Sequence, residues 1–509
     1  MVARCGTAVI VGVQAHEVMV EAEVGSGLPG LTLVGLADTA IRESRDRVRA
    51  AIEHSELDWP DTRMTVALLP ASLRKRGSAL DAAIAVAILA ASDQLPASAS
   101  ASTCVLGELG LDGRIHPVPG VVATALALRG SGRRLLVPVG EVDQAGLVPD
   151  ADVGGIRSLA HLVSVLRGTD QPVAPGGTGS SEPAAPRVGV ADLADVRGQS
   201  EARRALEVAA AGGHHLAMIG TPGVGKTLLA ERLPGLMPPL DDETALEVTA
   251  IWSAAGMATE GLLREPPFQA PHHTASASAV IGGGQGGRIR VGAVTLAHRG
   301  VLFLDEAPEF SRTVLDALRQ PLEGGQVRLA RAEATAVLPA CFSLVIAANP
   351  CPCGRGMGVA ARCTCTPMQR RRYATKLSGP ILDRVDLRVG LERPQLAQLG
   401  EPGEPTKDVA ARVVAARGRA AHRWAAAGVP WRQNAAAPGP YLRAEQPPDE
   451  LGAELLRAAF ARSALTMRGA DRVLRVAWTL ADLDGSDRPG ADHVAAAMIL
   501  RGEELPWAA

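Results

Sequence analysis

Gly220, Thr221, Pro222, Gly223, Val224, Gly225, Lys226 and Thr227 satisfy the pattern G-x-x-x-x-G-K-[ST] in full. The apolar stretch His215 to Ile219 before them reads as a strand, and Leu228 to Leu233 opens a helix. In that setting glycines let backbone N–H groups converge on phosphates, Lys226 reaches the β and γ oxygens, and the Thr227 hydroxyl holds Mg²⁺. The expected ligand is ATP or a similar nucleoside triphosphate. Lysine is otherwise confined to Lys75, Lys376 and Lys407, which sets its use at this spot apart from chance composition.

Further along, Val301-Leu-Phe-Leu304 runs into Asp305-Glu306. Four apolar residues ending in two acids suit a buried strand whose C-terminal end meets the phosphates. Asp305 is expected to bind Mg²⁺, directly or through water, and Glu306 to orient and deprotonate the attacking water. A second strand, Ser343 to Ala348, ends in Asn349, whose amide is placed to sense a γ-phosphate. Arg384, within Leu382-Asp-Arg-Val-Asp386, is expected to complete a neighbouring subunit's site, and Arg468 to lie over the nucleotide from a helical lid. In this order the residues are the parts of an oligomeric ATPase.

Cys351-x-Cys353 and Cys363-x-Cys365 bracket a short loop just after Asn349. Four thiolates so close together suit a tetrahedral structural Zn²⁺, with free thiols or redox chemistry as the alternatives. His272-His273 is a poorer metal pair, because adjacent side chains diverge, and a loop or pore role is expected.

These groups need several domains to carry them. The chain has 509 residues and is 47% apolar, enough for two to four cores. A formal net charge of −2 excludes a basic footprint over the whole chain, so any nucleic-acid contact must be local or created by assembly. The most apolar run, Ala79 to Ala91, is short and contains Asp81, which suits a buried helix rather than a membrane span. With no secretory signal pattern, a cytoplasmic location and reduced cysteines are expected.

Residues 1–167 read as a mixed α/β unit with strands over Ala8–Val13, Val18–Val24, Leu31–Val34, Met64–Leu69, Thr103–Leu109 and Arg134–Pro138. Its helices are expected over Thr39–His54, Ser78–Ala91 and Val121–Leu128. A Pro-, Gly- and Ser-rich stretch then predicts a flexible linker over 168–189. Residues 190–398 alternate strands and helices around the phosphate loop, and 399–509 are helical, with apolar spacing over Asp449–Arg462, Arg468–Leu483 and Gly490–Arg501.

Three stretches could touch DNA. Gly282 to Gly287, followed by Arg288 and Arg290, reads as a flexible tip; Glu323 to Phe342 reads as a hairpin; and Arg370, Arg371 and Arg372 form the densest basic cluster. Repeated copies in an assembly would supply avidity for a phosphate backbone.

The chain resembles the YifB/ComM family of magnesium-chelatase-like AAA+ ATPases over nearly its whole length. The resemblance is carried by Gly35-Leu-Ala-Asp-Thr-Ala-Ile-Arg-Glu-Ser-Arg45, the phosphate loop, Phe268-Gln-Ala-Pro-His-His-Thr274 with Gly282-Gly-Gly284, Asn349-Pro-Cys-Pro-Cys-Gly354, Ser378-Gly-Pro-Ile-Leu-Asp-Arg384, and Arg468-Gly-Ala-Asp-Arg-Val-Leu-Arg475. It implies a homo-hexameric ring with ATP and Mg²⁺ at subunit interfaces, and DNA translocation with branch migration during recombination of incoming DNA, alongside recombination proteins. The family's functional positions map onto Lys226, Thr227, Asp305, Glu306, Asn349, Arg384 and Arg468. Trp478 departs from the pattern, which has arginine there.

Gly107 to Gly120 is similar to a segment of the Lon protease domain, which implies a Lon-protease-like α/β fold for the first domain, ahead of an AAA+ P-loop α/β domain and a C-terminal helical lid. A Ser–Lys dyad is not expected, because Gly107 to Ala160 contains no lysine; Ser78 is expected to cap the following helix. The alternatives are a chelatase-like or protein-remodelling ATPase acting with partner proteins.

Overall fold

The strands of the ATP-site region are apolar along their whole length and are buried on both faces: all residues of Leu216–Gly220 and of Val301–Leu304, and all but the first of Ser343–Ala348. Uninterrupted apolar runs of this kind fit a parallel sheet covered by helices on both sides. In the computed structural model they join Phe268–Gln269 and Leu387–Leu391 in a five-stranded, all-parallel sheet. From edge to edge the order is Phe268–Gln269, Val301–Leu304, Ser343–Ala348, Leu216–Gly220, Leu387–Leu391. The three strands that end in Asp305, Asn349 and the phosphate loop are therefore immediate neighbours. The structure describes residues 2–35, 39–75, 77–176, 192–257, 259–285, 288–331, 334–356, 363–377, 379–393, 403–462 and 465–502.

The first unit is a seven-stranded mixed sheet. Val2–Val11 and Gln14–Gly25 form a long antiparallel hairpin, Gln14–Gly25 pairs with Arg63–Leu69, and Thr103–Val105, Arg134–Pro138 and Val153–Ile156 extend it in parallel. Helix Asp81–Ala91 is buried along its entire length, as its almost unbroken apolar sequence requires. The strand Val153–Ile156 and the helix Leu159–Leu166, capped by Ser158, carry too short a periodicity to stand out in the sequence. Val173 pairs with Gly155, so the start of the Pro- and Gly-rich stretch lies on the first sheet; residues 177–191 are outside the described residues.

Ser78 does not cap the following helix. That helix starts at Asp81 after Leu80, with no side-chain cap, and the Ser78 hydroxyl instead donates to the Glu108 carboxylate.

Several contacts among the described residues tie the first unit to the ATP-site unit. Leu246 and Ala250 of helix Asp242–Ala254 share an apolar cluster with Val121, Val122 and Ala125, and Gly120 N–H donates to Ser253 O at 3.0 Å. The turn of the long hairpin reaches the ribbon formed by Gln326–Arg331 and Ala334–Pro339, where Val13 clusters with Val327, Ala336 and Leu338. Gly12, at φ +68°, is needed there: a methyl group on it would lie 2.7 Å from Leu338.

The C-terminal helices are Thr406–Ala426, Gly439–Glu445, Glu450–Ala461, Met467–Asp484 and Ala491–Leu500. Asp449 and Thr466 cap two of them, and Val473, Val476, Ala477 and Leu480 pack on Ala205 and Leu206 beside the phosphate-loop strand. Among the described residues no helix is long and apolar enough to cross a membrane.

Candidate functional site

The loop after Leu216–Gly220 turns through Gly223 at φ +76° and Gly225 at φ +99°, and Lys226 opens the following helix. Side chains strongly disfavour both conformations, which suits glycine at both positions; the pattern itself requires it at Gly225. At Gly220 the reason is space, since a methyl group would lie 2.7 Å from Leu391 O. Lys226 is buried, and its ammonium donates to Gly220 O at 2.7 Å, Thr221 O at 3.1 Å and Asn349 Oδ1 at 3.1 Å. Burial lowers its pKa, and the charges of Asp305 and Glu306 oppose that shift. A buried cation whose hydrogen bonds among the described residues go to neutral oxygens fits a site built to receive phosphate.

Thr227 Oγ1 donates to Asp305 Oδ2 at 2.9 Å. A hydroxyl and a carboxylate in contact at the mouth of the loop fit the hard-oxygen donor set of Mg²⁺. Thr221 Oγ1 is buried without a hydrogen-bond partner among the described residues, a polar atom consistent with a ligand at this loop. Glu306 follows in the left-handed region at φ 49°, with its N–H on Asp305 Oδ1 at 2.9 Å. A non-glycine residue held there is strained, and its half-exposed carboxylate lies beside His273.

Lys226, Thr227, Asp305 and Asn349 thus come together. Arg384 and Arg468 do not join them. Arg384 makes an ion pair with Glu323, and Arg468 is 83% exposed with Asp383 Oδ2 3.9 Å away. Burial lowers the pKa of Arg384, and the charges of Arg472, Arg319 and Arg468 add to that effect.

Three family descriptions cover most of the chain: "Subunit ChlI of Mg-chelatase" matches residues 20–141, "Magnesium chelatase, subunit ChlI" residues 192–399, and "Magnesium chelatase, subunit ChlI C-terminal" residues 403–501. An uncharacterized protein of Mycobacterium tuberculosis is 49% identical over 98% of both chains. YifB of Escherichia coli is 41% identical over 97% of this chain and 96% of its own, and the competence protein ComM of Haemophilus influenzae is 39% identical over 96% and 95%. The chain belongs to the YifB/ComM family of magnesium-chelatase-like ATPases.

In this YifB/ComM-family chain a buried polar network lies behind Arg384. Arg472 Nη1 donates to Arg384 O at 3.0 Å and to Asp386 Oδ1. Asp386 Oδ2 is 3.0 Å from His214 Nδ1, and His214 Nε2 is 2.7 Å from Thr479 Oγ1. Burial pushes the Asp386 carboxyl up, but the His214 hydrogen bond and the Arg472 charge hold it well below the usual carboxylate range. The network thereby joins the last sheet strand to helix Met467–Asp484. Sequence reasoning passed over His214, Asp386 and Arg472. The residues are far apart in the chain, and a histidine in Gly213-His-His215 gives no periodic signal.

Trp478, expected to replace an arginine, is held by packing. It is buried, its Nε1 donates to Gln446 O at 3.0 Å, and the Arg423 guanidinium lies 4.1 Å from its ring centroid. His273 also acquires a place: its Nδ1 is 3.6 Å from Glu306 Oε2. Gln199 is a further addition, donating to Val224 O at 3.3 Å and Glu392 O at 2.6 Å, and so bracing the phosphate loop.

The expected flexible tip is a β-ribbon instead, Gly282–Gln285 paired antiparallel with Arg288–Val291. Glycine carries little strand propensity, but the main-chain ladder and a close approach favour the pairing: a methyl group on Gly292 would lie 2.2 Å from Gly282 N. Residues 286 and 287 are outside the described residues. Arg370, Arg371 and Arg372 are exposed on helix Pro367–Ala374, which Thr366 and Gln369 close with a capping box.

The four cysteine sulfurs all lie within 4.8 Å of one another. Backbone N–H groups of Arg355 and Thr364 point at the Cys353 sulfur and lower its pKa to about 6.

Proposed function

We propose that this chain is an Mg²⁺-dependent ATPase that assembles into a hexameric ring and moves along DNA. The observation that supports the reading best is the convergence of Lys226, Thr227, Asp305 and Asn349 at the ends of three adjacent strands. Bound Mg²⁺ would neutralise charge on the β and γ oxygens of ATP. The loop N–H groups of Gly220 to Thr227 and the Lys226 ammonium bind the phosphates, while Thr227 and Asp305 hold the metal. Glu306 takes the proton of the attacking water, Asn349 orients that water against the γ-phosphate, and His273 holds the Glu306 carboxylate in place. Arg384 leaves Glu323 to meet the neighbouring subunit's γ-phosphate, and Arg468 follows the lid.

The division of labour is a first domain over 1–167, a linker over 168–189 whose start is held on the first sheet through Val173, an AAA+ domain over 190–398 and a helical lid over 399–509. The first domain has a Lon-protease-like fold without a dyad, used for assembly. Its Ser78 faces Glu108, and its Lys75 is buried against Pro70 O. Arg290 and Arg328, exposed on the two ribbons, track phosphates from six subunits. The name of the Haemophilus relative, a competence protein, supports a competence-related role, which we read as branch migration in the recombination of incoming DNA, in the cytoplasm and with recombination proteins as partners. The four thiolates hold a structural Zn²⁺.

ATP turnover measured with and without single-stranded, duplex and four-way-junction DNA tests this reading, with Glu306→Gln as the control. Stimulation together with junction movement is expected. Turnover indifferent to every DNA would replace the motor with a chelatase-like or protein-remodelling ATPase, and absence of turnover would end the reading altogether.

A further inference from the structure

Cys351 and Cys353 follow Asn349, and Cys363 and Cys365 precede the helix Pro367–Ala374. Their sulfurs are 3.4 Å (Cys351 to Cys353), 3.5 Å (Cys351 to Cys363) and 3.6 Å (Cys353 to Cys363) apart. A disulfide would bring two sulfurs to about 2.05 Å. Four thiolates about 2.3 Å from one Zn²⁺ would instead be separated by about 3.8 Å. The sulfurs therefore surround a common centre rather than pairing.

That knuckle touches the nucleotide site on two sides. Asn349 Oδ1 accepts from Lys226 Nζ at 3.1 Å, and the Asn349 backbone N–H points at the hydroxyl of buried Tyr373, on the helix after Cys365. On the other side Gly354, at φ +73°, is pressed against the phosphate loop: a methyl group there would lie 2.7 Å from both Cδ and Cγ of Pro222. One short segment thus contacts the phosphate loop through Gly354 and carries Asn349 at its start.

We propose that the Cys351, Cys353, Cys363 and Cys365 site is a zinc knuckle that sets the distance between the phosphate loop and Asn349, so that metal occupancy governs ATP turnover. The proposal rests on the reading of this chain as an ATPase with a structural Zn²⁺. The cysteines act as positioning residues, since none reaches the phosphates. A small displacement of Asn349 relative to the phosphates lowers the rate about 10- to 100-fold while phosphate-loop binding is largely kept.

The test uses the full chain. Zinc content is measured for wild type, Cys353→Ser/Cys363→Ser, Cys363→His and Gly354→Ala, together with the cobalt-substituted absorption spectrum, affinity for a fluorescent ATP analogue, kcat, and hydrogen exchange of residues 220–227. Wild type should hold one zinc per chain and give thiolate charge-transfer bands with cobalt. The double serine variant should lose zinc, exchange faster over 220–227 and turn over about 10- to 100-fold more slowly, with analogue affinity within about threefold. Cys363→His, which keeps four ligands, should recover zinc and rate. Gly354→Ala should keep its zinc yet lose at least about tenfold in kcat, and it keeps the test open should the serine variant fold poorly.

Zinc-free wild type without cobalt bands would overturn the metal site. Loss of zinc with unchanged kcat and unchanged exchange would overturn the coupling and leave the metal site standing. An inactive wild type would count against the ATPase reading, and the exchange of 220–227 would still decide the coupling.

Discussion

Replacing Arg472 by methionine should be among the most damaging single changes outside the nucleotide site. Its guanidinium is the partner of Asp386, and the two side chains are only 14% and 4% exposed. Without Arg472 the Asp386 carboxylate keeps the His214 contact at 3.0 Å but loses its permanent positive charge, and Arg384 O loses a donor at 3.0 Å. Breaking one side of a buried pair costs about 3–5 kcal/mol, far more than an exposed pair is worth. Urea unfolding followed by tryptophan fluorescence is a suitable assay, because buried Trp424 and Trp478 lie in the same C-terminal helices. Asp386→Asn combined with Arg472→Met should cost less than the sum of the two single changes, by about 2 kcal/mol, because no unpaired charge is left buried. ATP turnover at an equal folded fraction should fall about tenfold in Arg472→Met, because the backbone of Arg384 is no longer held. A loss of stability under about 1 kcal/mol, or strict additivity in the double variant, would refute the view that the network is a fully paired buried cluster.

Glu306→Gln should retain binding of an ATP analogue and lose about 10²- to 10⁴-fold in turnover, and single-turnover hydrolysis measures it. Arg384→Ala should lose about 10³-fold or more with binding nearly intact; rings mixed from Arg384→Ala and Lys226→Ala subunits should regain part of the rate, and none regained would rule out a role in trans. His215 gives a pH signature. Burial lowers its pKa from 6.5 to about 4, and its Nδ1 accepts from Leu344 N at 3.0 Å. Between those values the unfolded chain takes up a proton that the folded chain refuses. Stability should therefore fall as pH drops from about 6.5 towards 4, by up to about 3 kcal/mol, and His215→Gln should flatten the slope in denaturation curves taken across that range.

Local patterns make the nucleotide site legible in the amino-acid sequence. The phosphate loop, Asp305-Glu306 after four apolar residues, and Asn349 after another apolar run each declare themselves within about ten residues, because a backbone-built phosphate cradle and a buried parallel strand dictate sequence locally. The helix Thr39–His54 is legible because one buried face spaces its apolar residues, and Val121–Leu128 because an apolar run stands between Gly120 and Arg129.

Tertiary structure decided what depends on residues distant in the chain. Only the strand order puts Asp305, Asn349 and Lys226 side by side, because each sheet neighbour is chosen by packing rather than by proximity in sequence. Ser78 turns to Glu108 rather than to its helix, and the glycine-rich tip closes into a ribbon, because partners supplied by the fold outweigh local preference. The network of His214, Asp386, Arg472 and Thr479 is of the same kind. Each residue alone would be an unfavourable charge or hydroxyl to bury, and only their convergence makes burial favourable.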